Sequence, residues 1–69
     1  MFTFKPLRDY LDLKGYSVKR IAQELDLSTN VAVALNNDRS VKLEHIAKIC
    51  VHLDLPIEAV VVIIRNTDA

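Results

Sequence analysis

The stretch that decides the fold is SVKRIAQELDLSTNVAVALNNDR, residues 17–39. Its first half spaces four apolar residues along one helical face: Val18, Ile21, Ala22 and Leu25. Its second half repeats the spacing with three more: Val31, Ala32 and Leu35. Ser17 and Ser28 stand immediately before the two patterns, where a helix N-cap belongs. The stretch therefore predicts two short helices separated by a tight turn.

The junction between these helices is short, because only Asp26 and Leu27 separate the two patterns. The helices must therefore cross at a sharp angle. Ala22 is small, as a close crossing of two helices requires, and Leu27 can fill the angle between them. Two helices joined in this way form a helix-turn-helix, which we place at about residues 17–37.

Residues Ser17 to Val60 resemble the lambda-repressor-like, Cro/CI-type (XRE) DNA-binding domain. The matching positions of the helix-turn-helix are Ser17, Ile21, Ala22, Leu25, Leu27, Ser28, Ala32 and Leu35. Those farther along the chain are Leu43, Ile46, Ala47, Ile49, Cys50, Leu53, Leu55, Ile57 and Val60. The opening FKPLRDYL and the length of 69 residues resemble a minimal single-domain branch of the family. The resemblance implies a mainly α, five-helix fold.

The first helix has the clearest predicted boundaries. Pro6 suits a first helical turn, since it lacks the N–H that would be unpaired there. Gly15 suits the left-handed position that ends a helix, with Tyr16 next to it able to contact Leu11. This arrangement predicts a Schellman motif.

The fourth and fifth helices follow the helix-turn-helix. The fourth is predicted to begin near Val41 or Lys42, with Ser40 as a candidate cap. Its core stripe is Leu43, Ile46, Ala47, Cys50 and Leu53. Pro56 is predicted to start a short fifth helix.

The two ends of the chain have strand-like residues, at 1–4 and 60–64. The second segment, VVVII, is entirely β-branched and suits a strand better than a helix interior. We expect the two segments to form a two-stranded ribbon. The alternative is that Phe2 and Phe4 anchor an irregular terminus onto the helices.

Composition limits the class of protein. One cysteine excludes an internal disulfide, and the longest apolar run, 59–64, is too short to span a membrane. No signal-peptide pattern is present. These features predict one small soluble domain, residues 1–69, in the cytoplasm and without a membrane partner.

Charge gives no strong indication of a partner. Nine basic and nine acidic side chains make the formal net charge zero, whereas phosphate neutralisation usually dominates nucleic-acid affinity. Four basic residues lie in or beside the two central helices: Lys19, Arg20, Arg39 and Lys42. The same stretch contains three acids: Glu24, Asp26 and Asp38. The local excess of positive charge is therefore only +1 (four minus three).

The resemblance also implies which residues would contact DNA, with the second helix of the motif in the major groove. Five positions would face the bases: Thr29, Asn30, Val33, Ala34 and Asn37. Asn30 is the strongest, because asparagine can pair bidentately with adenine. No arginine projects from this helix, which predicts modest affinity and an A·T-leaning site. The alternative is that Thr29 and Asn30 are ordinary polar residues of a first helical turn.

Phosphate contacts are expected from six residues that flank this helix: Ser17, Lys19, Arg20, Ser28, Arg39 and Lys42. Capping is the first role of the two serines, and phosphate contact is an addition to it. The alternative for the four cations is an ordinary solvated surface.

A metal site or catalysis would have to involve Cys50, His45 or His52. Cys50 belongs to an apolar stripe and is predicted to be a buried small hydrophobic residue. Two histidines without a third ligand make a weak metal site. No nucleophile elbow, glycine-rich loop or placed carboxylate pair is present. We predict no metal, no cofactor and no enzymatic activity.

The β-branched segment also indicates a second copy of the chain. Five successive apolar residues cannot all face one small core, so some should remain exposed for a partner. We expect a homodimer interface formed by Val61, Val62, Ile63 and Ile64. The alternative is that Phe2 and Phe4 cover the segment within one chain.

Two functions from different classes remain after this reasoning. The first is a sequence-specific, repressor-like transcriptional regulator that binds double-stranded DNA as a dimer on a short palindrome. The second is a helix-turn-helix used for protein–protein interaction, as in an antirepressor or assembly partner. Zero net charge favours the second, whereas the two helices, turn and capping serines together favour the first.

Overall fold

The computed structural model of the chain describes residues 1–65. In that part it shows four α-helices, one turn of 3-10 helix and two short strands. They are β1 (Phe2–Thr3), α1 (Lys5–Lys14), α2 (Val18–Glu24), α3 (Thr29–Asn36), α4 (Leu43–Leu53), the 3-10 turn (Ile57–Ala59) and β2 (Val62–Ile63). The mainly α architecture and the first four helices agree with the prediction.

The predicted fifth α-helix is wrong. Pro56 precedes only one 3-10 turn. The backbone N–H groups of Val60 and Val61, which follow this turn, both donate to the Ile57 carbonyl, at 2.9 and 3.0 Å. The β-branched residues that follow lose side-chain freedom in a helix and favour extended backbone. The chain therefore leaves the helical conformation after one turn and enters β2.

The predicted ribbon is confirmed. Strand β1 pairs with β2 in antiparallel register, Phe2 opposite Ile63 and Thr3 opposite Val62. The Ile64 N–H donates to the Met1 carbonyl at 2.8 Å, which extends the pairing by one residue. The ribbon joins the beginning and end of the described chain.

The predicted Schellman motif at the end of α1 is also confirmed. Gly15 has φ 76°, in the left-handed region. The Tyr16 N–H donates to the Leu11 carbonyl at 2.8 Å, and the Gly15 N–H donates to the Asp12 carbonyl at 3.1 Å. These are the two hydrogen bonds of the motif.

The other three α-helices end at an aspartate in the same left-handed conformation. Asp26, Asp38 and Asp54 have φ values of 57°, 56° and 55° and follow α2, α3 and α4. Aspartate tolerates this region better than most residues that have a Cβ, because its short polar side chain can hydrogen-bond locally.

The core lies where α1, α2, α3 and α4 meet. Its largest fully buried side chains are Leu7, Leu11, Ile21, Leu35, Ile49 and Val60. Phe2 and Phe4 touch edge to face, with ring centroids 5.5 Å apart, and Phe4 is buried. The N-terminal segment is therefore anchored on the helices as well as paired with β2.

Helix α4 differs from its predicted stripe at its first turn. Leu43 is 70% exposed and Ala47 is exposed, whereas Ile46 and Ile49 are buried. Lys42 is the N-cap and makes no side-chain hydrogen bond, so Ser40 does not cap the helix. Leu43 is the first residue of the helix and lies one turn before Ile46, its first buried residue.

No helix within residues 1–65 has the length and apolarity needed to cross a membrane.

Candidate nucleic-acid interface

The two helices of the central motif begin at capping serines. The Ser17 hydroxyl oxygen accepts the Arg20 N–H at 3.1 Å, and the Ser28 hydroxyl oxygen accepts the Val31 N–H at 3.4 Å. Each serine satisfies one backbone donor that would otherwise be unpaired at a helix start. The predicted capping roles are confirmed.

The turn between α2 and α3 is as tight as the sequence indicates. The Asp26 N–H donates to the Gln23 carbonyl at 3.1 Å, and the Leu27 N–H donates to the Ala22 carbonyl at 2.8 Å. Ala22 is buried and Leu27 packs against the core. The turn thereby directs the N-terminus of α3 outward at a defined angle.

The outer face of α3 has three of the five predicted base-contacting residues. Thr29 and Asn30 are exposed in its first turn, and Val33 is 46% exposed one turn later. Asn30 borders a depression of about 310 Å³ between α3 and the start of α4. Lys42 and His45 border the same depression. Polar, apolar and cationic groups thus lie side by side on this face.

The other two predicted base-contacting residues are placed differently. Ala34 is only 9% exposed and belongs to the buried side of α3, so it offers little surface to DNA. Asn37 is exposed, but its side-chain amide nitrogen already donates to the Val33 carbonyl at 2.8 Å. We therefore leave Ala34 out of the function proposed below and give Asn37 a secondary place.

Arg20 is held along the surface of α2. Its Nε lies 3.3 Å from a Glu24 carboxylate oxygen, and its guanidinium lies 4.3 Å from the centre of the Tyr16 ring. The other Glu24 oxygen lies 3.1 Å from Nε2 of His52 in α4. Arg20 and Glu24 therefore neutralise each other in part, and Arg20 is less available to a phosphate than its charge indicates.

The remaining predicted phosphate-contacting cations are Lys19, Arg39 and Lys42. All three are exposed, and none forms an ion pair with another residue between 1 and 65. They lie at the start of α2 and between α3 and α4, on both sides of the recognition helix. Glu24 pairs with Arg20 inside the stretch and Asp38 pairs with Arg8 outside it, which leaves Asp26 against these three cations, an excess of +2 (three minus one). The surface is accordingly more cationic than the sequence count of +1 indicates.

Asp38 fixes the C-terminal end of α3. One carboxylate oxygen accepts the Arg8 Nη1 at 2.7 Å and the Phe4 N–H at 2.8 Å, and the other accepts the Thr3 hydroxyl at 2.9 Å. Arg8 Nη1 also donates to the Leu35 carbonyl at 2.7 Å. These bonds join the end of α3 to β1 and α1.

The hydrogen bond from Arg8, followed by that from the Phe4 N–H, lowers the pKa of Asp38 from 3.8 to about 2. The carboxylate is therefore ionised at neutral pH. The sequence alone identified Asp38 only as one of three acids beside the central helices, because its three partners lie at least 30 positions away in the chain.

The four predicted interface residues at the end of the chain lie on two sides of the ribbon. Val61 and Ile63 face a groove near the start of α4. Val62 pairs with Thr3, and successive strand residues alternate between faces, so Val62 and Ile64 point to the other side. Val61 packs against the core, whereas Ile63 is 76% exposed.

The histidines and the cysteine form no joint site within residues 1–65. No three His, Cys, Asp or Glu side chains come together there in a way that could hold a metal ion. His52 contacts Glu24, whereas the buried Nδ1 of His45 has no hydrogen-bond partner among these residues. Cys50 is half-buried against the core, and burial raises the pKa of its thiol.

Comparison with known families decides the nature of this surface. The family model of the Cro/C1-type helix-turn-helix DNA-binding domain matches residues 6–65. The chain belongs to this family. No curated protein and no solved structure matches it at a significant level. The match includes α2 and α3, which are the helix-turn-helix of this Cro/C1-type domain, and membership of this DNA-binding family implies DNA as a partner.

Proposed function

We propose that this Cro/C1-type protein is a sequence-specific, repressor-like transcriptional regulator that binds a short palindromic operator as a homodimer in the cytoplasm. The observation that carries the proposal is the outer face of α3. It exposes Thr29, Asn30 and Val33 on a firmly capped helix, with exposed cations on both sides.

In this function the first turn of α3 enters the major groove and contacts base edges. Asn30 pairs with adenine through its amide, and Thr29 donates its hydroxyl to a neighbouring base. Val33 contacts a thymine methyl group. No arginine projects from α3, so the frequent arginine–guanine contact is absent and the operator is A·T-leaning. Asn37 contributes at the far edge of the helix.

The phosphate contacts come first from Lys19, Arg39 and Lys42, which have no competing ion pair among the described residues. Arg20 contributes less, because it must leave Glu24 or Tyr16 to reach a phosphate. The hydroxyls of Ser17 and Ser28 accept a cap N–H and still have a hydrogen to donate to a phosphate oxygen.

Regulation follows from occupancy. A homodimer places two α3 helices about one DNA turn, roughly 34 Å, apart on a two-fold site. Bound protein then blocks polymerase at an overlapping promoter. No step of this function requires a metal, a cofactor or catalysis.

A second candidate function is a protein–protein interaction module with weak or no DNA binding. The zero net charge and the exposed Val33 on α3 favour it. A regulator should lose affinity as salt rises, whereas an interaction module should give no DNA complex even at low salt.

The test is a fluorescence-anisotropy titration against a duplex selected from a random pool, at low and near-physiological salt. Asn30→Ala should weaken specific binding by about 1–3 kcal/mol if Asn30 contacts a base. Gln23→Ala is the matched control, because Gln23 also has an exposed amide side chain but is not among the residues proposed to contact DNA. Equal losses in both variants would remove the base contact, and no complex at any salt concentration would favour the interaction module.

A further inference from the structure

The surface in question is an apolar groove at the ribbon end of the domain. It measures about 250 Å³ and lies between β1, β2, the 3-10 turn and the start of α4. Its apolar lining includes Phe2, Val41, Leu43, Ile57, Val61 and Ile63. We propose that this groove is the homodimer interface and that Ile63 of each copy enters the groove of the other. The inference builds on the dimeric regulator proposed above.

A two-fold interface needs a projection and a recess on the same surface patch. This groove has both, since Ile63 forms part of its wall and is still 76% exposed. Leu43 is 70% exposed on the opposite element, at the start of α4. Rotation about an axis at the rim places each Ile63 against Leu43 and Ile57 of the second copy.

The charge of the lining favours a second copy over a different partner. A two-fold axis brings each residue near its own duplicate, so a charged patch would repel itself. No charged side chain lines this groove within residues 1–65, and Ser40 is its only polar residue. A second apolar depression, around Leu25, Ala47 and Val51, does not have an uncharged lining, because Lys48 and His52 border it.

The available area also fits a dimer. Leu43, Ile57, Ile63 and the half-exposed residues around them expose on the order of 500 Å² in each copy. Complete burial of both patches would cover at most on the order of 1,000 Å² in total, which is the lower limit of a specific interface. Such an interface is reversible, as a regulator that assembles on its operator requires.

This surface differs from the interface that was predicted from the sequence, which consisted of residues 61–64. It includes Val61 and Ile63 but leaves Val62 and Ile64 on the other side of the ribbon. It adds Leu43 and Ile57, which are distant in sequence from β2. Leu43 therefore gives the sharpest test.

The experiment is sedimentation equilibrium of the full chain without DNA, over micromolar to millimolar concentrations. Wild type should dimerise, and Leu43→Glu should weaken dimerisation by about tenfold or more. A negative charge is favourable in the first turn of α4, so this variant should keep its fold, as circular dichroism would verify. Val51→Glu is the matched control, because Val51 is 83% exposed on the same helix but outside the groove.

A second variant keeps the test decisive if Leu43→Glu fails to fold. Ile63→Thr retains a β-branched residue in β2 but removes apolar bulk, and it should also weaken the dimer. Val62→Thr should have no effect. A wild type that stays monomeric at millimolar concentration would overturn the inference, as would a dimer that tolerates Leu43→Glu but dissociates with Val51→Glu or Val62→Thr. A monomer that still binds the selected duplex would overturn this interface and the homodimer of the proposed function, but would leave the base contacts of α3 intact.

Discussion

The turns that end α3 and α4 have the same backbone and use their side chains in opposite ways. Asp38 and Asp54 adopt left-handed φ values of 56° and 55°, one degree apart. The Asp38 carboxylate accepts hydrogen bonds from Thr3, Phe4 and Arg8, whereas the described structure shows none for the exposed Asp54 side chain. A left-handed aspartate is thus a tertiary anchor in one turn and only a chain reversal in the other.

The difference matters for the DNA-binding surface. The Asp38 anchor joins the end of α3 to β1, and β1 pairs with β2 beside the proposed dimer groove. The helix proposed to contact bases is therefore fixed to the ribbon that would set the distance between two such helices. Nothing comparable depends on the Asp54 turn.

The strongest test of the comparison applies one substitution to both turns. Asp38→Gly keeps an allowed left-handed residue but removes the carboxylate, so the Phe4 N–H and the Thr3 hydroxyl lose their acceptor and Arg8 keeps only the Leu35 carbonyl. We expect a fall in melting temperature of roughly 10 °C, measured by thermal denaturation. A change within about 2 °C would mean that the carboxylate is not an anchor.

Arg8→Met should produce a smaller loss of the same kind. Methionine retains the packing of the aliphatic chain, while the Leu35 carbonyl and Asp38 lose the guanidinium. The Phe4 N–H and Thr3 hydroxyl still bind the carboxylate, so we expect a fall of roughly 5 °C. Lys5→Met is the control, because its ion pair with Asp9 is exposed to solvent. Equal losses in the two variants would contradict a specific role for Arg8.

Acid titration should isolate the contribution of the Asp38 carboxylate to stability. The folded-state pKa of Asp38 is lowered from 3.8 to about 2, so the unfolded chain binds the proton first as the pH falls. The contribution of Asp38 to stability is therefore complete above pH 3.8 and disappears between 3.8 and about 2. Denaturant titrations from pH 5 to pH 2 should show this loss in wild type and a shallower one in Asp38→Gly. Identical slopes would exclude Asp38 as its source.

Asp54→Gly should stabilise the protein, whereas Asp38→Gly should destabilise it. Glycine adopts the left-handed conformation without the Cβ cost, and its gain is partly offset by the greater entropy of the unfolded chain. We expect stabilisation of about 0.5 kcal/mol, measured by urea denaturation. A loss as large as that of Asp38→Gly would reveal an unrecognised role for the Asp54 carboxylate.

The third turn, at Asp26, connects the comparison to function. Asp26 is exposed beside the proposed DNA surface, and asparagine also tolerates its left-handed φ of 57°. Asp26→Asn should leave the fold unchanged and remove one anion, which should raise DNA affinity roughly two- to threefold at low salt. Unchanged affinity would indicate that Asp26 does not lie near the DNA backbone.

Local sequence determined most of the secondary structure and the central motif. The spacing of apolar residues in α2 and α3, the capping serines and the helix stop at Gly15 each depend on hydrogen bonds or periodicity within a few residues. The ribbon could also be predicted from the sequence, because a run of five β-branched residues disfavours a helix wherever it lies. The same preference of β-branched residues for extended backbone explains why the helix predicted after Pro56 is reduced to one 3-10 turn.

Tertiary structure decided which predicted residues are available. Leu43 was predicted to belong to the core and Ala34 to face DNA, because a periodic pattern gives the face of a helix and not the place where neighbouring elements end. Leu43 is 70% exposed beside the groove, whereas Ala34 is only 9% exposed. Asp38 was equally hidden from sequence reasoning, because its partners are contributed by α1 and β1, at least 30 residues away. Hydrogen bonds over that separation exist only once the helices have packed, and they determine how α3 is fixed for contact with DNA.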